Sequence, residues 1–555
     1  MSGGPAVRCA VRAGAYYDSI VLMQLQRALA ALPGVLDAGV MMATPANRDL
    51  LAASGLLPGE EVAAGPDDLL IAVQAESEAA AGEALARVDA LLAVRRAGAA
   101  GQEFRPKSLA SAFKQLPEAR WVLVSVPGRH AAAVAGEALD SEKNVFLYSD
   151  NVSLADELEL KKKARDRGLL VMGPDCGTAI VGGTGLGFSN RTQRGRIGLI
   201  GASGTGLQAV VSHLHARGAG ISQALGLGGR DLYAEVGGIT AAQALDLLAR
   251  DPETDVIVLI SKPPAPEVAR RLIALARGVG KPAVVYFPGA PLPAPRLGNV
   301  GFASSLEGAA EDALRGLTSP RPPLAAPVAF AAGQRWIRGL FSGGTLALEV
   351  LRGLEPLFSK AGGHTILDLG ADEFTVGRLH PMIDFDLRLR RLRQEAADPE
   401  VALVLLDVVL GDGAHADPAG ELGPVIERVK AEAQAAGRAL DVAVLVIGTD
   451  QDPQDVKLQT VTLEKAGARV CRTVTDLLDY AVERLEEIEG FPRPEDPPVP
   501  LESVQGPLAA VNVGLESFYD SLLAQGAQAV HVEWKPPAGG NEKLAGILAR
   551  MKRSR

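Results

Sequence analysis

The sequence has little of what marks a secreted, nucleic-acid-binding or membrane protein. Three cysteines, Cys9, Cys176 and Cys471, are scattered over 555 residues. That is too few for a disulfide framework and points to a reducing compartment. Aromatic residues make up 4% of the chain and the formal net charge is −10. Dispersed Lys and Arg with so few stacking rings exclude a nucleic-acid footprint. The one basic run, Arg388–Arg393 (R-L-R-R-L-R), reads as a solvated helix face. No apolar run reaches the ~18 residues that mark a membrane helix. The first residues lack the form of a signal peptide, so the expected location is cytoplasmic with no membrane partner.

Glycine and short apolar runs are plentiful instead. The organising stretch is Arg196–Gly218, R-I-G-L-I-G-A-S-G-T-G-L-Q-A-V-V-S-H-L-H-A-R-G. Ile197–Ile200 reads as a buried parallel strand. Leu207, Val210, Val211 and Leu214 recur at helical spacing, so the turn of Ser203, Gly204, Thr205 and Gly206 opens a helix. A small-residue turn feeding a helix start offers free N–H groups and the positive dipole end to an anion. The bland alternative is a tight strand–helix turn with no ligand.

The pattern recurs. Ile337–Thr345 ends in a second turn, Ser342, Gly343, Gly344 and Thr345, and Ala347, Val350, Leu351 and Leu354 fall where Leu207, Val210, Val211 and Leu214 did. Leu225–Gly229 matches Leu367–Ala371, Asp251–Ile260 matches Asp398–Leu406, and Gly280–Tyr286 matches the stretch from Gly437 to Leu445. The offset grows from 140 (Ile197 to Ile337) to 157 (Gly280 to Gly437). Four matches in one order predict a duplicated α/β domain.

Taken in order, the expected architecture is α/β throughout. Residues 1–100 read as a ferredoxin-like unit. Residues 103–190 read as a Rossmann-like, CoA-binding-type domain. Residues 191–320 and 330–495 are the two copies, flavodoxin-like with parallel sheets. Residues 500–555 form a small C-terminal α/β module, expected to dock on the body or on a partner. Arg96–Gln102 and the proline-rich stretches Ser319–Pro327 and 491–505 read as linkers, and Glu542–Met551 as a last helix. In the Rossmann-like part, ligands bind outside the carboxyl ends of the strands. That puts Pro127, Asn151, Pro174 and Cys176 on one rim, with packing as the preferred role of Cys176. His380, Asp384 and His415 match no metal-ligand spacing, so no metal is expected.

These residues carry a resemblance. Gly173-P-D-C-G177, Gly198-L-I-G-A-S-G-T-G-L207, Leu225-G-L-G-G229 and Asp251-P-E-T-D255 resemble the alpha subunit of succinyl-CoA synthetase and the NDP-forming acyl-CoA synthetases. Phe341-S-G-G-T345 with Ile366-L-D-L-G370 resembles the matching domain of the beta subunit. The fused order and the tail, Val511-N-V-G-L-E516 and His531-V-E-W-K-P-P-A-G-G540, look closest to the FdrA family.

The resemblance implies a phosphate site clamped by two helix starts, here at Ser203–Thr205 and Ser342–Thr345. It also implies departures. Asn299 stands where the synthetases carry their phosphorylated histidine, and Lys262 stands where an acidic residue orients it. No ATP-grasp segment is read in the chain, and Lys107–Lys114 lacks the glycines of a CoA loop. A phosphate cradle with Lys262 added suits phosphate or carbamoyl phosphate as a co-substrate, with no required cofactor and CoA left possible. For Lys262 the alternative is a solvated loop lysine. FdrA-type proteins are associated with ureide (allantoin) catabolism, which implies a subunit of an oxamate carbamoyltransferase: oxalurate and phosphate give oxamate and carbamoyl phosphate. Lys262 and Asn299 are then the candidate catalytic residues, with a small-molecule substrate and partner subunits. An acyl-CoA synthetase and a non-catalytic scaffold subunit are the alternatives.

Overall fold

The computed structural model describes residues 5–13, 19–57, 62–66, 68–92, 105–290, 295–317, 326–358, 362–490 and 496–536. The linker read at Arg96–Gln102 and the helix read at Glu542–Met551 lie outside the described residues. The chain divides into two units, residues 1–191 with 502–555, and residues 192–501.

The first unit begins with β1 (Ala6–Arg12), β2 (Val35–Met42) and β3 (Leu69–Ala75), an antiparallel sheet in the order β1-β3-β2. Central β3 is apolar at nearly every position because both of its faces are covered. Leu69, Ile71 and Val73 pack with Leu22, Leu25 and Leu29 of the helix Ser19–Ala30. Leu70 and Ala72 pack with Leu51 of the helix Pro45–Ala53. That helix starts where the sequence dictates: Thr44 Oγ1 accepts the Asn47 N–H at 3.3 Å and Pro45 takes the first helical position. This is the ferredoxin-like expectation, with one short helix more than was read.

A second sheet follows, from β4 (Trp121–Val124), β5 (Asn144–Leu147) and β6 (Val171–Met172), all parallel. The antiparallel hairpin of β7 (Thr178–Val181) and β8 (Thr184–Gly187) comes next. The sheet is completed from the far end of the chain. Ala509–Val513 pairs in parallel with β4, and Gln528–Val532 pairs with Ala509–Val513. Numbered along the chain, the strand order is 3-2-1-4-5, the Rossmann order. The C-terminal module, expected to dock on the body or on a partner, thus enters this sheet. Val511, Val513 and Val532 share one buried core with β4 and β5, and the Trp121 indole donates to the Ser503 carbonyl at 2.6 Å. Each fully buried valine contributes roughly 1.5–3 kcal/mol, so these strands belong to the sheet they complete.

The second unit holds both copies. The first has β9 (Arg194–Gly201), β10 (Ile221–Gly226), β11 (Val256–Ile260), β12 (Ala283–Tyr286), β13 (Arg296–Leu297) and β14 (Val300–Phe302), in the order β13-β14-β12-β11-β9-β10. All are parallel except β13, which pairs antiparallel with β14. The second has β15 (Trp336–Phe341), β16 (Thr365–Asp368), β17 (Val401–Val409), β18 (Asp441–Ile447) and β19 (Arg469–Cys471), all parallel, in the order β16-β15-β17-β18-β19. Leaving β13 aside, each lobe runs 2-1-3-4-5, the flavodoxin-like order, whose ligand site lies where the sequence of strands reverses, between strands 1 and 3. The lobes meet through the helix Val474–Glu489. There Arg277 forms a bidentate pair with Glu486 (3.1 Å for Nη2–Oε2), and Asp479 accepts the Gly298 N–H at 2.5 Å and pairs with Arg296 at 3.2 Å.

Candidate functional site

In the first lobe the switch point is the end of β9 beside β11. Gly201 closes β9 and a turn leads into the helix Gly204–Ala216. A Cβ on Gly201 would come within 2.6 Å of Leu207, so the strand end and the helix touch only because this residue has no side chain. Ser203 is the N-cap: its Oγ accepts the Gly206 N–H at 3.2 Å. The Ala202 N–H donates to the Ile260 carbonyl at 3.0 Å. Among the described residues, the Gly204 and Thr205 amides have no acceptor, as expected for a first helical turn. Thr205 is exposed. Lys262 follows β11 by two residues, on the same rim, exposed and without a hydrogen bond or ion pair among the described residues. The arrangement is a helix start with open N–H groups and a nearby cation.

The second lobe repeats the geometry with a different lining. The helix Gly344–Leu354 begins at the switch point, with Gly343 as N-cap and no capping side chain. Just upstream, the buried carboxylate of Asp407 on β17 occupies the turn. It accepts the Ser342 N–H at 2.8 Å, the Ser342 hydroxyl at 3.0 Å and the Gly343 N–H at 2.8 Å. Arg388 pairs with it at 2.9 Å, both side chains at 0% exposure. Arg388 also lies over the Phe385 ring, 4.9 Å from its centroid. Burial pushes the Arg388 guanidinium down and the neighbouring Asp407 pulls it back up. A second carboxylate, Asp368 at the end of β16, stands so close to the helix start that a Cβ on Gly344 would meet its Oδ2 at 2.5 Å. The two turns are lined differently: Lys262 follows the third strand on the rim of the first, whereas Asp407 and Asp368 stand at the second. Among the described residues the amides of Gly344, Thr345 and the next residue have no acceptor there.

Two other expectations change. Arg388 is not on a solvated face. It falls three residues after Phe385 and four before Leu392, on the buried stripe of the helix Asp386–Ala397. That spacing was visible in the sequence, and the missed signal was a charge on an apolar stripe. Asn299, expected at the catalytic centre, lies at the other end of the sheet. It precedes β14, its carbonyl accepts the Ala283 N–H, and its amide donates to the Ala276 and Lys281 carbonyls at 2.9 and 2.8 Å. Ala283 pairs with Ile257, and Ile260 with Gly201. Three to four residues of strand, ~10–13 Å at ~3.3 Å each, therefore separate Asn299 from the Ser203 turn. It ties a helix end and a loop to the sheet.

In the first unit, Pro127 caps the helix Gly128–Asp140 on the rim of β4, and a Cβ on Gly128 would strike the Asp150 carbonyl at 2.1 Å. Asn151 is exposed with φ +54°. Pro174 and Cys176 are buried, and the Cys176 thiol donates to the Thr178 carbonyl at 3.7 Å. Of the four, Pro127 lines a cavity of about 680 Å³ at this rim, joined by Asp150 and Asp175. His380 Nδ1 and His415 Nδ1 accept backbone N–H groups of Met382 and Asp417. Among the described residues no group of three or more His, Cys, Asp or Glu is placed to hold a metal. No described helix is long and apolar enough to cross a membrane.

Comparison with known proteins fits these parts to families. The family model described as AllF, heavy metal-associated domain, matches residues 4–107. The CoA binding domain matches residues 192–289 and the CoA-ligase domain residues 340–481. The CoA-binding match thus falls on the first copy, not on residues 103–190 where that domain type was expected. An Escherichia coli K12 protein, Uncharacterized protein YahF, is 40% identical over 501 residues, which are 85% of this chain and 97% of YahF. The succinate–CoA ligase [ADP-forming] subunit alpha of Aquifex aeolicus is 30% identical over 188 residues, 32% of this chain and 60% of that protein. Among solved structures, the ATP citrate lyase of Methanothrix soehngenii is 15% identical, with 80% of this chain and 82% of that one covered at a TM-score of 0.31.

Proposed function

The chain belongs to the same family as YahF and, through its CoA-binding and CoA-ligase domains, to the acyl-CoA synthetase-like superfamily; from that premise we propose that it is the phosphate-handling subunit of an acyl-group-transferring enzyme. The observation that carries this reading is the open helix start at Ser203–Gly206 beside Lys262. N–H groups at a helix start hold phosphate oxygens without reorganising, and a lysine adds a point charge where the dianion sits. Bound there, a phosphate oxygen attacks an activated carbonyl carbon. Donors aimed at the phosphoryl and carbonyl oxygens stabilise the charge that develops as the leaving group departs.

Two substrates fit that step. In the acyl-CoA synthetase reading the carbonyl belongs to an acyl thioester. The carbon–sulfur bond breaks, giving an acyl phosphate and free CoA. The CoA-binding and CoA-ligase matches and the succinate–CoA ligase relatives support this reading most directly. In the second reading the carbonyl belongs to a carbamoyl group, as in oxalurate. The carbon–nitrogen bond breaks and carbamoyl phosphate and oxamate form, the FdrA-type reaction of ureide catabolism. It is favoured by the AllF-described domain at residues 4–107 and by Lys262. Partner subunits supply what the chain does not.

The test is thermal stability with phosphate, carbamoyl phosphate, CoA and ATP in turn. A ligand at 100 times its Kd stabilises by about 2.7 kcal/mol. Phosphate should raise the melting temperature of the native chain and not that of Lys262→Ala. Stabilisation by carbamoyl phosphate without CoA selects the second reading, and stabilisation by CoA selects the first. A phosphate response unchanged in Lys262→Ala refutes the site.

A further inference from the structure

The cavity on the rim of β4 is not explained by phosphate chemistry. It sits where the Rossmann strand order reverses, between β4 and Ala509–Val513, lined by Ser125, Val126 and Pro127 from one strand end and Leu515 from the other. The strand ends are locked together there: the Leu515 N–H donates to Ser125 Oγ at 2.8 Å, and a Cβ on Gly514 would lie 2.5 Å from Ser125. The opposite wall is Met41 and Met42 of β2. A volume of about 680 Å³ is that of a small-molecule site.

Its chemistry is one-sided. Asp150 and Asp175 line it, both exposed, and neither carboxylate has a hydrogen bond or ion pair among the described residues. The described lining contains no lysine or arginine. Two of the lining donors are committed: Ser149 Oγ donates to the Val126 carbonyl at 2.6 Å and the Asn47 amide to the Met42 carbonyl at 2.9 Å. The Gln26 amide and the Tyr148 hydroxyl also line the cavity, and the charged groups of the described lining are the two carboxylates, set against apolar wall. Tyr148 and Phe188 stand edge to face, ring centroids 5.4 Å apart, and Phe188 is 60% exposed. Burial raises the Tyr148 phenol, and the charges of Asp150 and Asp175 raise it further, so both carboxylates act on this ring's edge of the cavity.

We propose that this cavity binds a small organic cation, an ammonium or guanidinium group carried on an apolar body. The carboxylates take the cation's N–H donors as charge-assisted hydrogen bonds. Tyr148 and Phe188 offer ring faces to the cation, and the methionines adapt to the apolar part. Two carboxylates with no lysine or arginine in the described lining disfavour polyanions such as CoA. The site lies within the first unit, so it stands or falls independently of the phosphate site at Ser203.

The experiment is titration calorimetry of the full chain with n-butylguanidinium, n-butylammonium, butyrate and CoA. The two cations should bind one to one, more weakly as salt is added. Asp150→Asn and Asp175→Asn should each weaken them about tenfold or more, the effect of one lost charge-assisted hydrogen bond. Both carboxylates are exposed and have no hydrogen bond or ion pair among the described residues, so the variants should keep the native melting temperature. Butyrate and CoA should neither bind here nor compete. The proposal is overturned by cations that fail to bind at millimolar concentration, by equal binding to the Asp150→Asn/Asp175→Asn double variant, or by displacement of the cations by CoA.

Discussion

Asp407→Ala tests whether the second turn is organised from within. In the native chain the Asp407 carboxylate holds two N–H groups, one hydroxyl and the Arg388 guanidinium, all buried but the half-buried Gly343 N–H. Removing it leaves Arg388 at 0% exposure with no countercharge. Breaking a buried pair in this way costs ~3–5 kcal/mol, because the surviving charge is left desolvated and unpaired. The turn loses its three acceptor contacts as well, so the opening should concentrate on β15, β17 and the start of the helix Gly344–Leu354. Hydrogen exchange of peptides spanning residues 336–347 and 401–409 reads this directly. A loss of ~3–5 kcal/mol in local opening free energy speeds their exchange roughly 10²- to 5 × 10³-fold, with peptides of β9 and β11 unchanged. Arg388→Met/Asp407→Leu supplies the control. Replacing both charges with apolar groups of similar volume removes the desolvated ion, so it should recover part of the loss. Native-like exchange in Asp407→Ala, or a double variant worse than the sum of the two single ones, would refute this account of the turn.

Other consequences are open to measurement. Asn299→Ala leaves the Ala276 and Lys281 carbonyls without their donor and should cost ~1–3 kcal/mol in thermal unfolding, while leaving phosphate-induced stabilisation intact; loss of that response would return Asn299 to the site. Burial pushes the Cys471 thiol up to about 11, so mass spectrometry after iodoacetamide at pH 8 should find it unmodified in the native chain and alkylated in urea. Modification of native Cys471 within minutes would contradict this burial. Burial also raises the Asp479 carboxyl. A group raised in the folded state contributes stability that is complete below its unfolded pKa and lost as pH rises through the folded one. From about pH 4 upward, Asp479→Asn should therefore flatten that part of the stability profile, and an unaltered slope in urea titrations would show the carboxyl is not the source.

Much of this protein is written locally. The apolar runs Ile197–Ile200 and Val256–Ile260, the glycine turns after the first strand of each copy, and the helical spacing that follows determine parallel strands, their connecting helices and the duplication. Those features depend on residues within one turn or one strand of each other, which is why four matched segments suffice to predict two lobes of one topology. Pairing across hundreds of residues is not written that way. Ala509–Val513 has the same local form whether it edges a small module or enters a sheet beside Trp121, and only the buried core of β4 and β5 decides between them. Asn299 follows the same logic. Its neighbours in sequence mark a strand start, but which end of the sheet it occupies is set by the register of β14 on β12. The open cation at Lys262 and the buried pair of Arg388 with Asp407 separate two turns that look alike in sequence. Their difference is electrostatic, and it exists only once the third strand of each lobe lies beside the first.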